Sequence, residues 1–200
     1  MKTLGRPREF DRQAALQAAM LVFWRKGFLA SSMNDLCEAM GIRSPSLYAA
    51  FGSKEDLYVE AVDFYNAGSR ERVWNHLDDG PSFRAGMQAM LLAAAGVLSG
   101  SVDEPTGCLV MLAAGEDCPD SAADITRLAR SETLDTLRAA LERASAAGEL
   151  PRGTDIDGLS RFFLGVVQGM AIQARDGASL DDLQGMAKAA MAAWPAKAAR

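Results

Sequence analysis

The chain has 200 residues, of which 49% are hydrophobic and 24% charged, and a net charge of −5. That is enough apolar material for a substantial core in one or two small domains, which excludes a disordered chain. The longest apolar runs, MLLAAAGVL and FFLGVV, fall far short of the roughly 20 residues that cross a bilayer, and the basic start MKTLGRPREF leads into DRQAALQAAM rather than a secretory apolar segment.

In chain order, a basic arm at residues 1–9 precedes a first helix. There FDRQAALQAAMLVFWRKG sets Ala15, Leu16, Ala19 and Phe23 near one face, and Gly27 is a natural stop. SSMNDLCEAMG predicts a two-turn second helix with Ser32 as N-cap, Asp35 three residues on as a partial capping box, Leu36, Cys37 and Met40 facing inward, and Gly41 at its end. Ser44 then suits an N-cap and Pro45 a first helical position, so SLYAAF makes a third short helix that Gly52 ends. Ser53 caps a longer fourth helix, KEDLYVEAVDFYNAGSRERVWNHL, with Leu57, Val59, Ala61, Phe64 and Tyr65 on its apolar positions. Further helices are expected at about 83–98, 108–115, 122–147, 156–175 and 180–194, separated by SGSVDEPTG, EDCPDS, GELPRGTD and RDGAS. No run alternates in the manner of a strand, so the fold class is all-α.

Residues 1–54 hold eight Lys or Arg against four acids, whereas the remainder holds thirteen against twenty-two. A basic first quarter on an acidic remainder suggests that one small region meets a polyanion. Two short helices joined by GIRS describe a helix-turn-helix, whose second helix lies in the DNA major groove. Its first turn offers Arg43, Ser44, Pro45 and Ser46 to base edges: arginine can bind guanine bidentately, serine can donate or accept, and the proline ring can touch a thymine methyl group. The helix starts at Ser32 and at Ser53–Lys54 present N–H groups to backbone phosphates, Lys54 adds a charge and Tyr48 a phenolic donor. In the arm, Arg6 and Arg8 flank a proline that keeps them extended, as a minor-groove reader needs.

From FWRKGF through SSMNDLCEAMGI and SPSLYAAF to GSKEDL, residues 5–65 resemble the DNA-binding domain of the TetR/AcrR family of transcriptional regulators. On that resemblance the base-reading segment falls on Arg43, Ser44, Pro45 and Ser46, the phosphate-binding tyrosine on Tyr48 and the phosphate-binding lysine on Lys54. Cys37 stands where the family commonly has alanine, and Ala50 where it often has histidine. The resemblance implies a helix-turn-helix domain over residues 10–53, a connecting helix that begins over 54–65, and a helical effector-binding and dimerisation domain over 66–200. Its last two helices would pair with their copies in a four-helix interface carried by Phe162, Gly165, Val166, Gly169, Met186, Ala189 and Ala190, with Phe163 and Met170 adding apolar area.

For the effector the sequence offers a lining type only. Phe64, Trp74, Met87, Met90, Leu91, Cys108, Met111 and Met170 could surround an apolar or aromatic molecule, although any one of them taken singly reads first as ordinary core. The expected protein is thus a cytoplasmic homodimer that binds a near-palindromic double-stranded operator, represses, and is released by a small molecule. It needs no cofactor, no metal and no membrane. A thiol or soft-metal sensor on the same fold is the alternative, using Cys108, Cys118 and the single histidine, His76, but no CxxC or metal-ligand spacing supports it. An enzyme using the same cavity is less favoured, because no acid–base pair or nucleophile motif is present.

Overall fold

A computed structural model describes residues 10–113 and 119–195; Arg6, Arg8 and Cys118 lie outside the described residues. Every regular element among them is helical. The first, α1 (Arg12–Ala30), starts at Asp11, whose carboxylate accepts the N–H groups of Gln13 and Ala14. It buries Leu16, Met20, Phe23 and Trp24. Gly27, the expected stop, takes φ 78°, and the chain makes a further turn through Phe28 before α2.

The next three helices follow closely: α2 (Met33–Met40), α3 (Ser44–Phe51) and α4 (Lys54–Arg72). Ser32 and Asp35 form a complete capping box at the start of α2, and Ser53 and Asp56 form another at α4. Between α2 and α3 the turn is a Schellman motif: Gly41, at φ 65°, donates to Glu38 O and Ile42 donates to Cys37 O. A side chain at position 41 would strain that backbone, and Ile42 goes on to pack against the core. The helix boundary at α3 differs from the expectation by one residue. Arg43 is the flanking residue, its carbonyl accepting from Ser46 and Leu47, so Ser44 and Pro45 are the first and second helical positions. Proline fits either place because neither N–H has a helical partner.

α4 does not continue to Leu77. The backbone breaks at Val73 (φ −128°, ψ −60°) into a 3-10 turn, Trp74–Asp78, which packs on α5 (Phe83–Leu98). The rest comprises the four-residue α6 (Leu109–Leu112), the long α7 (Asp120–Ala146), α8 (Ile156–Arg175) and α9 (Leu180–Ala190), which finishes in a 3-10 turn, Met191–Ala193. Helix α4 is shared by both halves of the fold, packing on α1 through Tyr58 and Tyr65 and on α7. Phe23 and Phe28 meet the Tyr58 ring at 5.0 and 5.1 Å, and Trp24 meets Tyr65 edge-on at 4.9 Å. Burying each such ring contributes on the order of 2 kcal/mol, plus about 1 kcal/mol for the aromatic pairing. Two polar links tie the halves together, Arg175 donating to Trp24 O at 2.7 Å and Arg25 to Asp103 O at 3.0 Å, and Arg72 at the end of α4 pairs with Glu104 at 2.7 Å.

Candidate nucleic-acid interface

Leu47 and Phe51 of α3 are buried, which turns Arg43, Pro45, Ser46, Tyr48 and Ala49 outward as one exposed strip. This follows from helical spacing: residues 47 and 51 lie one turn apart and anchor the helix, leaving the opposite face free. Ser44 differs from its neighbours, being half-buried with its Oγ 3.5 Å from Cys37 Sγ. It braces α3 against α2. Arg43 makes no capping bond, so its guanidinium is free to project from the first turn. Tyr48 is 53% exposed.

The two capping boxes flank this strip. At α2 the Ser32 hydroxyl bonds Asp35 in both directions and the Ser32 N–H is taken by Asp35 Oδ2 at 2.9 Å, which leaves Met33 and Asn34 with the unspent N–H groups of the first turn. At α4 the same arrangement leaves Lys54 and Glu55. A phosphate at either end therefore meets backbone N–H groups beyond the serine rather than the serine hydroxyl. The Lys26 ammonium bonds the Asp35 carboxylate at 2.7 Å, lowering that carboxyl to about 2 and offsetting its negative charge at the helix end. The Lys54 ammonium rests 4.4 Å above the Phe28 ring, a cation–π contact that holds it beside the start of α4.

Arg12 was not singled out by the sequence. Its Nη2 reaches both oxygens of Glu60 at 2.8 Å and Ala50 O at 3.1 Å, and its guanidinium lies 4.3 Å over the Phe51 ring. It fastens the last turn of α3 to α1 and α4. Only a pairing across 48 residues would have marked it.

The N-terminal part of this arrangement matches a family model. Residues 15–61 match the model described as bacterial regulatory proteins, tetR family. The chain is also 34% identical over 197 residues to the HTH-type transcriptional repressor ComR of Escherichia coli K12, covering 97% of this chain and 93% of that protein. The chain belongs to the TetR family. A solved structure of a cysteine mutant of the TetR family regulator CifR, complexed with 26-bp double-strand operator DNA, superposes with a TM-score of 0.89 at 41% identity, covering 96% of this chain and all of that one. The HTH-type transcriptional repressor BdcR of E. coli K12 is 46% identical over 61 residues, 30% of this chain and 31% of that protein. These relatives are transcriptional regulators rather than enzymes. The all-α architecture is that of a TetR-family chain, an N-terminal helix-turn-helix domain followed by a helical C-terminal domain. No helix among the described residues is long and apolar enough to cross a membrane.

In TetR-family terms the second half holds the expected effector and partner residues. A narrow crevice of about 30 Å³ runs between α4, the Trp74 turn, α5, α6 and α8, lined by Tyr65, Val97, Leu98, Val110, Val167 and the expected Trp74, Cys108 and Met111. It adjoins a polar vestibule of about 360 Å³ between α4 and α7, and Asn66, Ser69, Trp74 and Thr133 line both spaces. Phe64, Met87, Met90, Leu91 and Met170 do not line the crevice. Phe64 is half-buried and the other four are fully buried, filling the gaps between helices as ordinary core. Burial pushes the Cys108 thiol up, against the opposing hydrogen bond from Tyr65, so the sulfur stays protonated at neutral pH. His76 is engaged with Asp79 at 2.6 Å, and no metal-ligand cluster occurs among the described residues.

On the outer face of α8 and α9, Phe162, Gly165 and Ala189 are exposed, and Val166, Gly169 and Met186 are half-buried. Ala190, by contrast, is 6% exposed and belongs to the core of this chain, as do Phe163 and Met170.

Proposed function

We propose that the chain is a homodimeric repressor that reads a near-palindromic operator through α3 and lets go when a small molecule occupies the crevice. The observation that carries the DNA reading is the exposed strip Arg43, Pro45, Ser46 and Tyr48, set between two helix N-termini with unspent N–H groups. Arg43, Pro45 and Ser46 face bases, with Ser44 holding the turn. Tyr48, Lys54 and the N-termini after Ser32 and Ser53 take phosphates, and Arg6 and Arg8 of the arm enter the adjacent minor groove. The strip of α8 and α9 running through Phe162, Gly165, Val166, Gly169, Met186 and Ala189 supports the dimer, since small residues beside exposed apolar ones let two helices approach. Two copies related by a twofold axis would present their α3 helices to half-sites about 34–36 Å apart or at a multiple of that spacing. Effector binding would favour a spacing that no longer fits. A ligand shifts that equilibrium only by its differential affinity for the two states.

The test is selection of bound sequences from a random duplex library, followed by salt titration of the selected operator. Arg43→Ala should relax preference at one position of each half-site, at about 1–3 kcal/mol of discrimination, whereas Lys54→Ala should weaken all sequences alike and lower the salt slope by about one per subunit. Unchanged sequence preference in Arg43→Ala would remove the base-reading role.

A further inference from the structure

The crevice and its vestibule differ in chemistry, and the difference bears on what can enter. The vestibule walls include Arg70 and Arg143 against Asp78 and Glu132, with Arg143 already bound to Asp78 at 2.7 Å, so neither sign of charge is in excess. Asn66, Ser69, Trp74 and Thr133 line the crevice where it shares walls with the vestibule, and the rest of its lining is apolar apart from Tyr65 and Cys108. Tyr65 is 5% exposed and shares the crevice wall with Cys108. A thiol is a weak acceptor, so Cys108 offers this buried phenol a poor partner for its one proton. An unshared carbonyl or ether oxygen would be a better one, because a buried donor gains most from a strong acceptor.

We propose that the effector is a small uncharged molecule with an apolar skeleton and an oxygen acceptor, ketone, ester or ether, and that the Tyr65 hydroxyl donates to that oxygen. The inference rests on the regulator reading above and names the chemical class of its effector. Burial holds the protons on both Tyr65 and Cys108, so the inner crevice presents no fixed charge to pair with an ionised ligand. An ion drawn in would lose its hydration without compensation. As it stands the crevice, at about 30 Å³, holds about one water. A ring enters when two side chains part: Trp74, half-buried on its 3-10 turn and lining both spaces, and Met111, whose unbranched thioether repacks easily. The ring of Tyr65 lies edge-on to Trp24 of α1, so a molecule bonded to its hydroxyl also acts on a side chain of the DNA-binding half.

The test uses three probes of one shape: acetophenone, α-methylstyrene, in which a methylene replaces the carbonyl oxygen, and benzoate. Calorimetric titration of the full chain should give acetophenone bound about fivefold more tightly than α-methylstyrene and at least tenfold more tightly than benzoate. In Tyr65→Phe the first ratio should fall to about one while α-methylstyrene binding stays unchanged. Val97→Trp, which fills the crevice from its half-buried wall, should abolish binding of all three and provides the test if Tyr65→Phe does not fold. Benzoate binding as well as acetophenone, a ratio that survives in Tyr65→Phe, no binding of any probe, or binding that survives Val97→Trp would each overturn the proposal. Operator binding is measured on the same preparation without probe. Its loss would sink the regulator reading itself, whereas failure of the ketone with operator binding intact sinks only the effector class.

Discussion

Asp35 binds the Ser32 hydroxyl and N–H through one carboxylate oxygen and the Lys26 ammonium through the other. Those bonds, Lys26 first, lower its pKa from 3.8 to about 2. A carboxyl that ionises more readily folded than unfolded adds stability above its unfolded pKa, and that contribution is lost as pH falls through the folded value. The melting-temperature gap between the wild-type chain and Asp35→Asn should therefore be widest at neutral pH and close between pH 4 and about 2; a gap constant across that window would show the carboxylate to be uncoupled from folding. The serine of this capping box was legible in the sequence because its partner lies three residues away. Lys26 and Arg12 were not, since nothing local marks a cation whose acid is met only after the chain has turned. The exposed pair Arg12–Glu60 is worth at most about 1 kcal/mol by itself, so its weight lies in where it holds α3.

At the level of elements, the crowding of α2, α3 and the start of α4 was readable because caps, proline and glycine act within a few residues. The break after α4 was not readable, because it depends on what α5 brings against it. A Cβ built on Gly86 of α5 would lie 2.2 Å from Leu77 O, so only glycine lets the Trp74–Asp78 turn sit so close to that helix. Gly86→Ala should cost about 1–3 kcal/mol in thermal or denaturant unfolding, since a backbone carbonyl has to move. Gly96, on the same helix with open space around it, makes the control: Gly96→Ala should gain about 0.5–1 kcal/mol from helix propensity. Equal effects at the two positions would remove the close approach as the reason for the glycine.

At the scale of the whole molecule, the effector space was the part least visible in the sequence. Its walls come from residues as far apart as Tyr65, Val97, Val110, Thr133 and Val167, and an apolar face reads the same whether it meets a neighbour or a gap. That is why Met87, Met90, Leu91 and Met170 suited a lining in sequence and fill the core in structure. The proposed dimer face can be tested at Phe162, which is 42% exposed on α8. Phe162→Arg should shift the chain from dimer to monomer in sedimentation equilibrium and weaken operator binding at least tenfold, because one half-site alone retains roughly half of the phosphate contacts. The Arg175 guanidinium, at the end of α8, grips Trp24 O in α1 across 151 residues of chain. During synthesis the helix-turn-helix, with α1 packed on α2 and α4, emerges from the ribosome well before Arg175, so the tie between α1 and α8 forms only once most of the protein has been made. Truncations that remove Arg175 while sparing every DNA-facing residue should accordingly loosen the seating of α1 against the C-terminal half.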